Sequence, residues 1–182
     1  MQTKLTNPIT KTHTKGVLNC MKIKLIDPNI TLKHIGGKNK SNWIDVQATK
    51  IKKVRSHGIS EELEWISERN PYIPILKGTF FLVYLGFAAE LPKNTEAHVA
   101  PRGSTFKKYH IIQTNSVGVV DSSYCGDNDE WFVPFLAMEN TIIEKYDRIA
   151  QFRTIEIMPN LNIEFVKTLN NKDRNGLGST GY

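Results

Sequence analysis

The run Asn115-Ser-Val-Gly-Val-Val-Asp-Ser-Ser-Tyr-Cys-Gly126 holds the residues best suited to chemistry. An apolar stretch, Val117 to Val120, delivers one carboxylate, Asp121, and a turn-rich segment carrying Tyr124 follows it. A short strand that ends on an acid can aim a general base at a bound substrate. The alternative is a strand entering a polar loop, with Asp121 as an ordinary turn residue. Pro101-Arg-Gly-Ser-Thr105 brings a guanidinium, bare backbone and hydroxyls together at a strand end, a set able to grip phosphate. Asp45, in Trp43-Ile-Asp-Val46, reads by itself as a strand-edge acid facing water. The stretch Arg174-Asn-Gly-Leu-Gly-Ser-Thr-Gly181 is either a terminus with little to bury or a Gly-rich arm that orders over phosphates. It is not a Walker loop, because no Gly-Lys-Ser/Thr occurs.

The elements that must position these residues are mostly strands. Met21 to Ile26 alternates apolar and charged, and Asp27-Pro28-Asn29 turns it. Further strands are expected over Trp43–Ala48, Phe80–Leu85, Phe87–Leu91, Glu96–Ala100, Glu130–Met138, Phe152–Met158 and residues 161–166. Pro134 places its strand at an edge or a bulge. Residues 55–70 predict a short helix: Ser60 caps it, Glu61 and Glu62 suit its first turn, and Asn70-Pro71 stops it. Short strands with frequent turns predict an all-β barrel or jelly roll. The predicted organisation is a flexible tail over 1–20, a β-domain over 21–169 with an insertion near 52–72, and an arm over 170–182.

A chain of 182 residues, 40% hydrophobic and 23% charged, suits one soluble domain with a real core. The net charge of +6 fits a nucleic-acid surface or a site for a polyanionic small molecule, and the scattered lysines favour the small molecule. Cys20 and Cys125 match no zinc spacing, which fits a reducing, cytoplasmic setting. No apolar run is long enough to cross a membrane, and Met1 to Cys20 lacks the apolar centre of a secretory signal.

Five short segments, in order, resemble the motifs of the trimeric dUTP diphosphatase (dUTPase) family, above all the forms of Gram-positive bacteria and their phages. They are Trp43-Ile-Asp-Val46, Pro101-Arg-Gly-Ser-Thr105, Gly118 to Gly126 with Asn115 just before it, Asp147-Arg-Ile-Ala-Gln151, and Arg174 to Gly181. The resemblance spans residues 21–181 and implies a distorted jelly-roll barrel, a homotrimer, and hydrolysis of dUTP to dUMP and pyrophosphate with Mg²⁺. It implies that Asp121 orients or deprotonates the attacking water and that Asp45 holds the metal through water. Arg102, Gly103, Ser104, Gln151 and Arg174 would meet phosphate. Asn115 and the backbone of Gly118, Val119 and Val120 would read the uracil edge, Tyr124 would pack on the deoxyribose, and Leu177, Gly178 and Ser179 would close the site. The chain departs from the family at Gly103, where a serine is usual, at Leu177, where an aromatic ring is common, and at Asn175, where glycine is common.

Two other readings follow from the same resemblance. A dCTP deaminase of the same fold needs a further catalytic glutamate, for which Glu130 and Glu139 are the candidates. A phage-type regulatory protein would use the 52–72 insertion, with Trp65, as a surface for a protein partner. A basic nucleic-acid binder is the weakest alternative.

Overall fold

The computed structural model describes residues 20–34, 40–55 and 59–173. In chain order the strands begin with β1 (Lys22–Leu25), β2 (Lys33–His34), β3 (Ile44–Gln47), β4 (Lys50–Val54) and β5 (Ser60–Leu63). They continue with β6 (Tyr72–Ile75), β7 (Phe80–Tyr84), β8 (Phe87–Glu90) and β9 (Thr95–Pro101). A five-residue helix, α1 (Thr105–Tyr109), comes next. Then follow β10 (Ile111–Gln113), β11 (Gly118–Val120), β12 (Phe132–Ala137), β13 (Thr141–Glu144) and β14 (Arg148–Glu156).

The strands form two five-stranded sheets, ordered β10-β12-β7-β4-β5 and β11-β9-β14-β3-β2, with two-stranded ladders β1-β8 and β13-β6 beside them. All four contribute to one apolar core: Phe81 and Phe135 from the first sheet, Val46 and Phe152 from the second, Phe87 and Ile143 from the ladders. Alternation makes this possible, since β9 and β12 bury every second residue. At the centre the Trp131 ring lies 5.0 Å from Phe87 and edge-on to Phe152 at 5.3 Å. Each such side chain contributes about 1.5–3 kcal/mol by leaving water. The all-β jelly-roll expectation holds, and most strands fall where alternation put them.

Three local expectations fail. Residues 55–70 do not form a helix: Ser60–Leu63 is β5, paired antiparallel with β4. The acids that resembled a helical first turn instead face cations across the ladder, Glu62 opposite Lys52 and Glu61 opposite Lys53. Arg55 also bonds Glu61, and Trp65 anchors the insertion by donating to the Thr49 carbonyl at 3.1 Å. Residues 161–166 form no strand; they find no ladder partner among the described residues and stay exposed. Pro134 lies inside a sheet, between β10 and β7. Its carbonyl accepts from the Thr114 N–H at 3.1 Å, just past the end of β10. The N–H that proline lacks would point the same way, so the ladder stops there at no cost to β7.

Candidate active site

The predicted site residues fall into two clusters. In the first, β11 runs antiparallel to β9, with Gly118 opposite Val99 and Val120 opposite Ala97. The chain then turns sharply. Asp121 Oδ1 accepts the Ser123 N–H at 2.8 Å, and the Asp121 carbonyl accepts the Tyr124 N–H at 3.0 Å. Aspartate favours such a turn because its side chain replaces a missing backbone acceptor. The Asp121 carboxylate faces water, and the Ser123 N–H, then the Ser123 side chain, hold its pKa below the ordinary 3.8. It is therefore ionised and able to accept a proton throughout the neutral range.

A cavity of about 400 Å³ opens beside this carboxylate, lined by Asn115, Gly118, Val120, Tyr124, Trp131 and Pro134 among others. Its walls are largely apolar, with the Asn115 amide and the Asp121 carboxylate as polar features. Tyr124 is half-buried and donates its hydroxyl to the Glu130 carbonyl at 3.2 Å, while burial pushes its phenol pKa up. Gly118 is closely packed: a side-chain carbon there would sit 3.2 Å from Asn115 Nδ2, a tight approach that the Asn115 side chain would have to relieve, and 3.6 Å from Val99. Val119 is exposed on the same short strand.

The second cluster lies at the other end of β9. Asp45 is buried at 6% exposure, not facing water as its sequence setting suggests. Its Oδ1 accepts from Arg102 Nε at 2.7 Å and its Oδ2 from Arg148 at 3.3 Å. Register brings these together, because β14 pairs with both β3 and β9, setting Gln151 opposite Asp45 and Ala100. Gln151 donates to the Pro101 carbonyl at 3.2 Å. Thr105 ties the loop down, accepting from the Arg102 N–H at 3.0 Å and donating to the Ile149 carbonyl at 2.9 Å. Gly103 and Ser104 are exposed in that loop, and nothing lies within 4 Å of where a Gly103 side chain would begin. A cavity of about 620 Å³ adjoins the cluster, lined by Lys33, His34, Arg102, Lys108, Tyr109 and Arg148 among others.

The cations Lys33, Lys108 and Arg148 were not singled out from the sequence. Arg148 stands inside the Asp147-to-Gln151 motif, so its signal was present; Lys108 enters only through α1, a helix too short to leave a periodic pattern. Arg174, Leu177, Gly178 and Ser179 lie outside the described residues.

The two clusters do not meet within one chain. From Ala97, opposite Val120, to Arg102 is five residues of nearly extended backbone, roughly 17 Å at about 3.3 Å each. The cavities beside the two clusters accordingly share no lining residue.

Both glutamates suggested for a deaminase have other work. Glu130 is buried and accepts from Lys50 at 2.8 Å and the Gly86 N–H at 3.1 Å. Glu139 is exposed and pairs with Lys77 at 3.0 Å. Neither lines the cavity beside Asp121.

A largely apolar cavity with an ionised carboxylate at its mouth, and a separate hollow rich in lysine and arginine, suit an all-β protein that takes a nucleotide. The chain belongs to the dUTPase family: residues 65–181 match the family model described as dUTPase. It is 48% identical over 143 residues to the SPbeta prophage-derived deoxyuridine 5'-triphosphate nucleotidohydrolase YosS of Bacillus subtilis, a match covering 78% of this chain and 96% of that one. Among solved structures it resembles the Staphylococcus bacteriophage 80alpha dUTPase with dUPNHPP, with a TM-score of 0.61 and 14% identity over 90% of this chain and 99% of that one. It also resembles a mutant dUTPase from phage phi11 of S. aureus, described with a coordinated structural Mg(II) ion, at a TM-score of 0.58 and 10% identity over 84% of this chain and 100% of that one. At such identities these two likenesses concern the fold.

Proposed function

We propose that the chain hydrolyses dUTP to dUMP and pyrophosphate at sites shared between the copies of a homotrimer. The observation that carries this is the ionised, water-facing Asp121 at the mouth of the apolar cavity, with the arginine cluster held apart at the far end of β9. The uracil enters the cavity between Asn115 and the β11 backbone, and Tyr124 covers the deoxyribose, leaving no room for a 2′-hydroxyl. Asp121 takes a proton from water as its oxygen bonds to the α-phosphorus. The bond from that phosphorus to the bridging oxygen breaks, and pyrophosphate leaves with the electron pair. A neighbouring copy supplies Arg102, Ser104 and Gln151 to the phosphates, with the Gly103 N–H beside them.

Mg²⁺ fits this donor set only as a chelate of the substrate. Among the described residues no group of three His, Cys, Asp or Glu side chains could hold a metal, and Asp45 is a single carboxylate. The triphosphate oxygens would therefore be the main ligands, with Asp45 touching the ion through water. When bound, the ion neutralises charge on the phosphates.

Lower dUTP limits uracil in DNA, and dUMP feeds dTMP synthesis. A cytoplasmic setting suits two cysteines that are both exposed and unpaired; among the described residues no helix is long and apolar enough to cross a membrane. The regulatory reading retains one support, the exposed outer edge of β5, which could take a protein partner. The decisive experiment is pyrophosphate release from dUTP with Mg²⁺. Asp121→Asn should lower kcat roughly 10²–10⁴-fold with the fold intact. No release from the folded wild type would leave the regulatory reading in its place.

A further inference from the structure

We propose that Gln113 sets the base specificity of this site by fixing which way the Asn115 amide faces, an inference that rests on the dUTP reading above. Gln113 ends β10 and is buried at 9% exposure. Its Nε2 donates to the Val99 backbone carbonyl at 3.0 Å. A backbone carbonyl can only accept, so this bond alone decides how the Gln113 amide is turned. The same Nε2 donates to Asn115 Oδ1 at 2.9 Å. The Asn115 oxygen is thus held against Gln113, and its nitrogen faces the other way. That nitrogen lies over Gly118, 3.2 Å from where a side-chain carbon would stand, and both residues line the cavity beside Asp121. The cavity receives an amide donor, not an acceptor.

Uracil carries a carbonyl at C4 where cytosine carries an amino group. A donor turned into the cavity pairs with the first and confronts the second with another donor, leaving both unpaired. Asparagine alone cannot make this choice, because its amide turns over at little cost; the Val99–Gln113–Asn115 chain makes it. Gln113 also bears a cost for its position: among the described residues its buried Oε1 has no hydrogen-bond partner. An apolar side chain would fit this place without that cost, so packing does not explain the glutamine. Gln113 is a positioning residue, acting on the base only through Asn115.

The test is kcat and KM for dUTP and dCTP, with Mg²⁺ and the full chain, for wild type, Gln113→Met, Asn115→Ala and the double variant. Methionine matches the volume and removes the donor. Gln113→Met should lower the dUTP-over-dCTP ratio of kcat/KM about tenfold, mostly through KM, and should add nothing once Asn115 is alanine. An unchanged ratio, or an equal drop in both backgrounds, overturns the proposal, since an equal drop is what a merely structural role produces. Gln113→Glu serves if the methionine variant does not fold. An ionised glutamate only accepts, so Asn115 must turn its nitrogen inward, and discrimination should fall more at alkaline than at mildly acid pH. A wild-type ratio at every pH overturns the proposal. A wild type with no preference for dUTP removes the functional reading and this inference together. A preference that Asn115→Ala abolishes and Gln113→Met preserves removes the inference alone.

Discussion

The Asp121 turn and the Asp45–Arg102 cluster occupy opposite ends of β9, and they handle charge in opposite ways. Asp121 is exposed, with one oxygen held by a backbone N–H and the rest of the carboxylate open to water. Asp45 is buried, with both oxygens committed to guanidinium groups. A base must keep a free lone pair where water can reach it. An arginine that waits for phosphate inside a protein must have an anion beside it in the meantime, or its burial is costly. The difference lies in what surrounds one residue type: a local turn leaves one aspartate open to water, and sheet register sets the other between two arginines.

If the two ends belong to different copies, two dead variants should restore each other. Asp121→Asn and Arg102→Ala, each inactive alone, should recover about a quarter of wild-type activity when unfolded together in equal amounts and refolded, because about a quarter of random neighbour pairs join two intact halves. No recovery, with mixed assemblies present, would put both ends to work within one chain. A smaller effect should follow Asp45→Ala, which leaves Arg102 and Arg148 facing each other without their anion. Arg102 is half-buried and Arg148 mostly exposed, so the loss should be about 1–2 kcal/mol, a drop of about 2–4 °C in Tm per kcal/mol. An unchanged Tm at matched protein concentration would deny the counterion role. The smallest effect concerns pH. Because the folded pKa of Asp121 is lowered, the base stays ionised down to that lowered value, while the stability linked to it is full above the ordinary value of 3.8 and is lost as pH falls from there through the lowered one. Ser123→Ala removes the lesser of the two contacts that lower it, so the acid limb of kcat/KM should move slightly upward. A downward move would contradict the proposed contact.

The legible parts of the site were those written locally. Gly118, Asp121 and Tyr124 lie on β11 and the turn directly after it, so their order along the chain is already their arrangement in space. Asp45 misled because its surroundings come from β9 and β14, more than fifty and a hundred residues away, and nothing in Trp43–Val46 encodes them. The helix expected over residues 55–70 failed for a related reason: two glutamates suit a helical first turn and a lysine-bearing partner strand equally, and only the pairing with β4 decides. Gln113 escaped notice because its effect depends on a carbonyl of β9, reached across the fold from the end of β10. Periodicity reports which face of a strand is buried; it is silent on which backbone atom a buried amide will meet.

The stretch from Ile157 to Leu169 gives the last consequence. Beyond β14 it forms no strand, yet it carries Met158, Leu161, Ile163 and Leu169 in water, with Phe165 at 97% exposure. So much uncovered apolar surface is adhesive. A newly made copy carries a strip that invites proteases and unspecific association until something covers it. If fellow copies provide the cover, dilution acts as a denaturant, and the durability of the enzyme is set by how much of it the cell contains.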